Sequence, residues 1–315
     1  MDGRIRVGVV GLGSFGAHHA RHYAGRPDAE LVVVADADAA RACAAAERYG
    51  AVASGSHRAL IGKVDAASVT VPASFHHAVA SDLIDAGIHV FVEKPLAPTP
   101  REAADLVRRA EKAGVILQVG HIERFSPVFR ALRERVSAPQ EVHCVRRAVW
   151  NGRSGDVDVV LDLMIHDIDL ALMLLGEPVS GEATGVSSVT GFNDEVEARL
   201  VFANGAVGSF TASRVAEKGE RVVRVREAGR ELIADLSASS LTIRDDGGAG
   251  ETLAIAAADN LAAEIENFLT SVRFNRRPEV DGRAGLAAVR VADEIILASI
   301  ARGRHAPASH GDVRP

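Results

Sequence analysis

Short apolar runs alternate with longer amphipathic stretches through the first 120 residues of the chain. The apolar runs predict buried β-strands at residues 5–10, 31–35, 64–71, 89–92 and 115–119. The stretches between them predict helices at residues 17–24, 39–49, 78–86 and 99–114. Strands that alternate with helices in this way predict a doubly wound, mostly parallel sheet with helices on both of its faces.

The rest of the chain has a different pattern, in which apolar residues alternate with polar or small ones. This pattern predicts strands at residues 141–149, 181–190, 196–203, 206–214, 221–227 and 231–234, followed by closing helices at 261–274 and 285–300. Asn204-Gly205 and Ala228-Gly229 suit hairpin turns between these strands. Because 315 residues are too many for one ordinary core, we predict two domains. Residues 1–120 carry the parallel sheet, and residues 121–315 form an α+β domain with a large open, mainly antiparallel sheet.

Three spaced glycines, Gly11, Gly13 and Gly16, stand between the first predicted strand and the first predicted helix. Ser14 and Phe15 complete this loop. Strand, glycine loop and helix are the context that a dinucleotide fingerprint requires, because the pyrophosphate rests on the N-terminus of the helix. Plain turns also contain glycines, so the loop alone is weak evidence.

Asp36 ends the second predicted strand, about twenty residues after Gly16. An acid at this position accepts hydrogen bonds from the ribose hydroxyls of an adenosine and repels a 2′-phosphate, which favours NAD over NADP. Two alternatives stay open. Asp36 could instead cap the following helix, and Arg41 could reach a 2′-phosphate.

Glu93-Lys94-Pro95 follows a buried strand of the same predicted sheet. Proline fixes its own φ and keeps Lys94 out of a helix, and ligands of open α/β sheets bind at the carboxyl ends of the strands. Lys94 is therefore a candidate site residue, although a lysine before a simple turn would leave the same pattern.

Asp162, His166 and Asp169 recur at helical spacing in a very apolar stretch, residues 157–176, so they share one face of a predicted helix. A buried polar face must meet something polar. It could be a satisfied network or salt bridge, a metal site, or a catalytic face. A metal site has the least support, because no third strong ligand cluster is evident. With a lysine and a glycine loop in the same chain, the catalytic interpretation is favoured.

The net charge of −6 gives no support to a nucleic-acid or anionic-membrane partner. Cys43 and Cys144 lie far apart and suit a reducing compartment. The first strand begins too early to leave room for a signal peptide, and no apolar stretch is long enough to span a bilayer. We therefore expect a cytoplasmic protein.

Several stretches together resemble the Gfo/Idh/MocA oxidoreductase family. They are GLGSFGAHHA, VTVPASFHHAVASDLIDAGIHVFVEKPLA, VGHIERFSP, VVLDLMIHDIDLALMLLG, NLAAEIENFLTSV and RPEVDGRAGLAAVRVADEI. The resemblance implies an N-terminal Rossmann domain that binds NAD(P), a C-terminal substrate domain whose open sheet forms a homodimer or homotetramer interface, and oxidation of a sugar or cyclitol.

The resemblance also implies roles for individual residues. Lys94 would be the catalytic lysine, in a loop where the family often has a cis peptide before the proline, with Asp162 and His166 as its partners. Val71, Pro72 and His76 would lie near the nicotinamide together with Glu93, and His19 matches a histidine after the glycine loop. His121, Arg124 and Arg153 would contact the substrate.

Within the family, the stretches around His121 and Asp162 look most like the branch that oxidises the 3-hydroxyl of UDP-N-acetylglucosamine. A dehydrogenase of free inositols or monosaccharides is the alternative enzyme, and a non-catalytic dinucleotide-binding regulatory protein is the alternative from another class. His166 is the candidate general base because the pKa of a free imidazole lies near neutrality. Lysine as the base is also feasible.

Overall fold

A computed structural model describes residues 3–152 and 154–303 of the protein. The described chain divides into two compact units. The first comprises the described residues of Met1–Arg135, Ala238–Leu241 and Thr252–Arg290, and the second those of Val136–Ser237, Thr242–Glu251 and Val291–Pro315.

The first unit contains a parallel sheet of six strands, which confirms the doubly wound prediction. Its strands are β1 Ile5–Val10, β2 Ala29–Ala35, β3 Val52–Ser54, β4 Ala66–Val69, β5 His89–Glu93 and β6 Leu117–Gly120. They lie in the order β3-β2-β1-β4-β5-β6. Of these six strands, β3 alone was not predicted from the sequence, because three residues are too few to show a period.

Four helices connect these strands: α1 Ser14–Ala24, α2 Ala39–Tyr49, α3 His76–Asp85 and α4 Pro100–Ala113. Local signals define α4, since the Thr99 hydroxyl accepts the Glu102 N–H and Gly114 ends the helix in the left-handed region. Asp38 caps α2 in the same way. No side chain caps α1.

Three further helices begin after the parallel sheet and contribute to the first unit. They are α5 Pro127–Arg133, α7 Asn260–Phe274 and α8 Gly282–Gly303, of which α8 continues into the second unit. The apolar face of α7 joins the core around β1 and β5, where the Phe268 ring packs edge-on against Phe91 with centroids 5.7 Å apart.

The second sheet has eight strands and is mainly antiparallel, as predicted. The strands are β7 Glu141–Arg147, β8 Pro178–Val186, β9 Glu195–Phe202, β10 Val207–Ser213, β11 Glu220–Glu227, β12 Arg230–Asp235, β13 Ser240–Asp245 and β14 Gly250–Ala254. Asn204-Gly205 turns between β9 and β10 with Gly205 at φ +84°. Strand β7 pairs with β10 in the parallel direction.

The stretch that carries Asp162 and His166 is not the regular helix that its spacing predicted. Val160–Met164 forms a π-helical segment, and the α-helix, α6, runs only from Ile165 to Leu175. A π turn holds more residues than an α turn. The α-helical spacing that placed Asp162 on the same face as His166 therefore does not apply within Val160–Met164. Among the described residues, no helix is long and apolar enough to cross a membrane.

Candidate active site

The predicted cofactor residues lie at one edge of the parallel sheet. Strand β1 has β2 on one side and β4 on the other, so the loops that follow these strands diverge at the point where strand order reverses. Ligands of open α/β sheets bind at such a point. The loops after β1, β2, β4 and β5 bring to this edge Gly11, Gly13, Ser14, Phe15, Gly16, Asp36, Val71, Pro72, Glu93 and Lys94.

The glycine loop has the close approaches that its spacing predicts. Gly11 has φ +88°, and a Cβ there would come within 2.7 Å of the Val71 nitrogen. A Cβ on Gly16 would overlap the Gly11 carbonyl oxygen. A Cβ on Gly13, in contrast, would meet nothing within 4 Å. Open space beside a helix N-terminus that no side chain caps fits a pyrophosphate.

Asp36 is held by the loops around it. Its carboxylate accepts the Leu12 N–H at 2.6 Å and the Asp38 N–H at 2.8 Å. The cap of α2 is Asp38, so the helix-cap alternative for Asp36 is wrong. Arg41 donates to Asp38 at 3.0 Å and lies 3.8 Å from Asp36, so its guanidinium is already paired with acids.

His76 ties two of the loops together. Its Nδ1 lies 2.7 Å from the Pro95 carbonyl oxygen, and its Nε2 lies 2.9 Å from the Val71 carbonyl oxygen. Burial lowers the pKa of His76, although both carbonyls act in the opposite direction. The ring therefore holds the loop after β4 against the loop after β5.

Glu93 connects the lysine loop to the interior of the unit. One carboxylate oxygen lies 3.0 Å from His19 Nε2, and the other accepts the backbone N–H of Lys94 at 3.3 Å. The Lys94–Pro95 peptide is cis, as the resemblance implied. Beyond His19 lie Ser68 and Tyr23, which the sequence analysis missed. The available signals were a serine inside an apolar strand and a tyrosine four residues after His19.

Two of the three predicted substrate residues lie in the interior of the protein. His121 follows β6 and is buried, and Arg124 is buried and donates to the Glu279 carbonyl oxygen at 3.1 Å. Arg153 lies outside the described residues. The roles assigned to these residues stay predictions.

In the second unit, Asp158 organises the start of the segment that carries Asp162 and His166. Its carboxylate accepts the Val160 N–H at 2.9 Å and the Asn193 side-chain amide at 2.7 Å, and burial raises the pKa of Asp158. Asp162 and His166 are both half-buried. The roles assigned to these two residues stay predictions.

A buried salt bridge involves the helix α6 that follows this segment. Asp167 pairs with Arg146 in a bidentate arrangement, with a shortest distance of 2.8 Å. Asp169, the third member of the predicted face, is fully buried.

Comparison with known proteins identifies the family. Residues 5–121 match the family model described as "Oxidoreductase family, NAD-binding Rossmann fold", and residues 130–230 match the GFO/IDH/MocA C-terminal domain. The chain belongs to the Gfo/Idh/MocA family. A UDP-N-acetylglucosamine 3-dehydrogenase of Acidithiobacillus ferrooxidans is 38% identical to it over 310 residues, which cover 93% of this chain and 98% of the relative.

Other relatives agree with this placement. An inositol 2-dehydrogenase of Rhizobium meliloti is 28% identical over 93% of this chain and 96% of its own length. A solved structure of UDP-N-acetylglucosamine 3-dehydrogenase from Acidithiobacillus ferrooxidans matches with a TM-score of 0.90 at 37% identity, over 95% of this chain and 98% of that one. This Gfo/Idh/MocA protein is thus an oxidoreductase that acts on CH–OH groups.

Proposed function

We propose that the protein oxidises a secondary alcohol on a sugar with NAD, and that its substrate is a UDP-N-acetyl-hexosamine oxidised at the 3-hydroxyl. The observation that carries this proposal is the 38% identity to a UDP-N-acetylglucosamine 3-dehydrogenase across nearly the whole of both chains. The inositol dehydrogenase is less similar over a comparable length.

Residues 1–120 would bind the cofactor, and residues 121–315 would bind the substrate. The open space at Gly13 and the uncapped start of α1 suit a pyrophosphate. The Asp36 carboxylate suits the adenosine ribose and disfavours NADP, since a 2′-phosphate would meet a second negative charge. When bound, the nicotinamide supplies the hydride acceptor. The protein contributes binding, orientation and control of the proton.

The proton chemistry is assigned to Lys94, His166 and Asp162. His166 would accept the proton of the reacting hydroxyl. Lys94 would donate a hydrogen bond to the same oxygen and stabilise the developing alkoxide charge, and Asp162 would orient the pair. The second candidate assignment makes Lys94 the base, with His166 as the hydrogen-bond donor.

A substrate panel tests the proposal. The purified protein is mixed with NAD and, in separate reactions, UDP-N-acetylglucosamine, myo-inositol or glucose, and NADH absorbance is recorded. We expect turnover with the nucleotide sugar. Each reaction is repeated with an added keto acid, because tightly held NADH could mask turnover. Activity with free sugars alone would refute the nucleotide-sugar assignment, and no activity at all would favour the regulatory protein.

We also propose a homodimer or homotetramer formed through the open sheet. Exposed positions on two strands of this sheet carry charges of both signs, with Glu197 and Arg199 exposed on β9 and Arg224 and Arg226 exposed on β11. A face with both signs can pair with a second copy of itself. Light scattering coupled to gel filtration would give the mass, and a monomer at micromolar concentration would contradict the proposal.

A further inference from the structure

A continuous chain of hydrogen bonds runs from the lysine loop into the core of the first unit. The Lys94 N–H donates to Glu93, the other Glu93 oxygen lies 3.0 Å from His19 Nε2, and His19 Nδ1 lies 3.0 Å from the Ser68 hydroxyl. The chain ends at Tyr23, whose hydroxyl lies 2.8 Å from that of Ser68. His19, Ser68 and Tyr23 are completely buried.

Counting protons assigns a direction to every bond in this chain. Burial raises the pKa of Tyr23, so the phenol keeps its proton and must donate it, and Ser68 is its hydrogen-bond partner. The Ser68 hydroxyl then donates to His19 Nδ1. An unprotonated Nδ1 leaves the ring proton on Nε2, where it is donated to the Glu93 carboxylate. A doubly protonated His19 would leave one hydroxyl proton in the core without an acceptor.

The carboxylate of Glu93 has little room to take another position. A Cβ on Gly120, in the neighbouring strand β6, would lie 2.7 Å from Glu93 Oε2. On the other side of the Glu93 carboxylate lies His19, which belongs to α1. The His19 ring packs edge-on against Phe91 with centroids 4.9 Å apart. Because residue 120 is glycine, the Glu93 carboxylate can occupy this space, and there it lies within hydrogen-bonding distance of His19.

Charged groups from several elements surround the chain. Lys94 and His76 are the titratable groups near Glu93 in the surrounding loops, and Glu264 and Arg26 are those that influence Tyr23. A neutral His19 leaves the negative charge of Glu93 beside Lys94 rather than cancelling it with an imidazolium.

We propose that His19 is a positioning residue, locked by Tyr23 and Ser68 as the Nε2–H tautomer, which holds the Glu93 carboxylate against the Lys94 peptide and so fixes the lysine loop. This inference rests on the proposed function of Lys94. His19 itself does not touch the reacting atoms, and its effect passes through Glu93.

Two substitutions separate this role from simple packing. His19→Gln places an amide N–H near the position of Nε2 and can still donate to Glu93, whereas His19→Asn reaches only as far as Nδ1. We expect His19→Asn to lower kcat by about 10- to 100-fold with little change in the Kd for NADH, and His19→Gln to restore most of the loss. His22→Asn, on the same helix and paired with Asp259 at its surface, is the matched control and should behave like the wild type.

Two measurements on the full chain do not depend on turnover. Nitrogen-15 NMR of the wild-type protein at neutral pH should show His19 with an unprotonated Nδ1 and a protonated Nε2. Hydrogen exchange of the Lys94 amide should be accelerated in His19→Asn and in Ser68→Ala, and less so in His19→Gln. If His19→Asn does not fold, Ser68→Ala and the NMR tautomer still decide the question.

A proton on Nδ1, or equal losses of kcat in His19→Gln and His19→Asn, would overturn the proposal. If the NMR and exchange results are as expected but Lys94→Met remains fully active, the proposed function has failed and the assignment of His19 as the group that fixes the loop still stands.

Discussion

Lys94 and His166 are the two residues on which the proposed chemistry depends most directly. We expect Lys94→Met and His166→Asn each to lower kcat by about two to four orders of magnitude, because each removes a group that handles or stabilises charge at the reacting oxygen. Fluorescence titration should show near-normal NADH binding in both variants. The assignment is wrong if both proteins keep wild-type turnover.

Asp36 sets the expected preference between the two cofactors. In Asp36→Ser the ratio of kcat/KM for NAD to that for NADP should fall by about tenfold or more, because the charge that repels a 2′-phosphate is gone. Glu30→Gln is the matched control, since it removes an exposed carboxylate near the other end of the strand that Asp36 follows and keeps the Asp36 charge. An unchanged ratio in Asp36→Ser would contradict the role.

His76 and His77 are adjacent in the chain but differ in environment, which makes them a useful pair. His76→Ala removes the ring between the Val71 and Pro95 carbonyls. It should lower the free energy of unfolding by about 1–3 kcal/mol, because a buried carbonyl loses its donor. His77→Ala removes a partly exposed contact with Asp105, whose carboxylate also pairs with Arg109, and should remain close to wild type in the same urea titration. Equal effects would show that His76 does not hold the loops.

At the scale of elements, one buried carboxylate organises the turn before β9. Asp194 accepts three successive backbone N–H groups, from Ser188 to Thr190, and lies 3.8 Å from the buried guanidinium of Arg214. Arg214 in turn donates to the carbonyls of Ser154 and Val157, shortly before the segment that carries Asp162. The pair thus holds two chain segments that no local signal would connect.

Removing the charge of Asp194 should therefore destabilise the second unit. Asp194→Asn places an amide where a carboxylate accepts several N–H groups and leaves Arg214 without its counter-charge, a change that costs about 3–5 kcal/mol in buried pairs. Urea unfolding followed by circular dichroism measures this loss. Asp246→Asn, at an exposed site 3.7 Å from Arg226, is the control and should change little.

The same carboxylate gives a dependence of stability on pH. Burial alone would raise the pKa of Asp194, but the N–H groups that it accepts outweigh burial and hold that pKa well below its ordinary value of 3.8. The contribution of the Asp194 carboxylate to the free energy of unfolding is then fully present above about pH 4. It is lost as the pH falls further, because Asp194 takes up a proton in the unfolded chain before it does so in the folded protein. The difference in unfolding free energy between wild type and Asp194→Asn should narrow from pH 5 to pH 3. A constant difference would contradict this account.

At the scale of the whole molecule, the first unit is completed by residues from the far end of the chain. Helix α7 buries Leu261, Ile265, Phe268, Leu269 and Val272 in the core around β1 and β5. The Gln118 side-chain amide donates to the Glu264 carbonyl oxygen, and the Val119 N–H donates to the Val280 carbonyl oxygen. The parallel sheet cannot bury this part of its surface without α7.

Two phenylalanines of α7 test this dependence. Phe268→Ala should lower the free energy of unfolding by about 3–5 kcal/mol, because a fully buried ring leaves a cavity. Phe274→Ala, at an exposed position on the same helix, should cost far less. Thermal and urea unfolding of the full chain measure both, and similar losses would show that α7 does not support the sheet.

The sequence by itself determined the features that depend on near neighbours. Five of the six parallel strands, the glycine loop, the cap at Thr99 and the Asn204-Gly205 hairpin were predictable, because a side-chain period, a positive φ or a capping hydroxyl acts within a few residues. Strands β13 and β14 were missed, since short strands next to glycine-rich turns show little alternation.

Only the tertiary structure decided which groups meet when they are distant in sequence. It assigned the cap of α2 to Asp38 rather than Asp36, and it placed a π-helical segment at Asp162. It also brought Glu93 into contact with His19, 74 residues away in sequence. Helix α7, from the far end of the chain, packs into the core of the first unit. Such contacts depend on how sheets and helices pack, and packing is a property of the folded chain rather than of any local stretch.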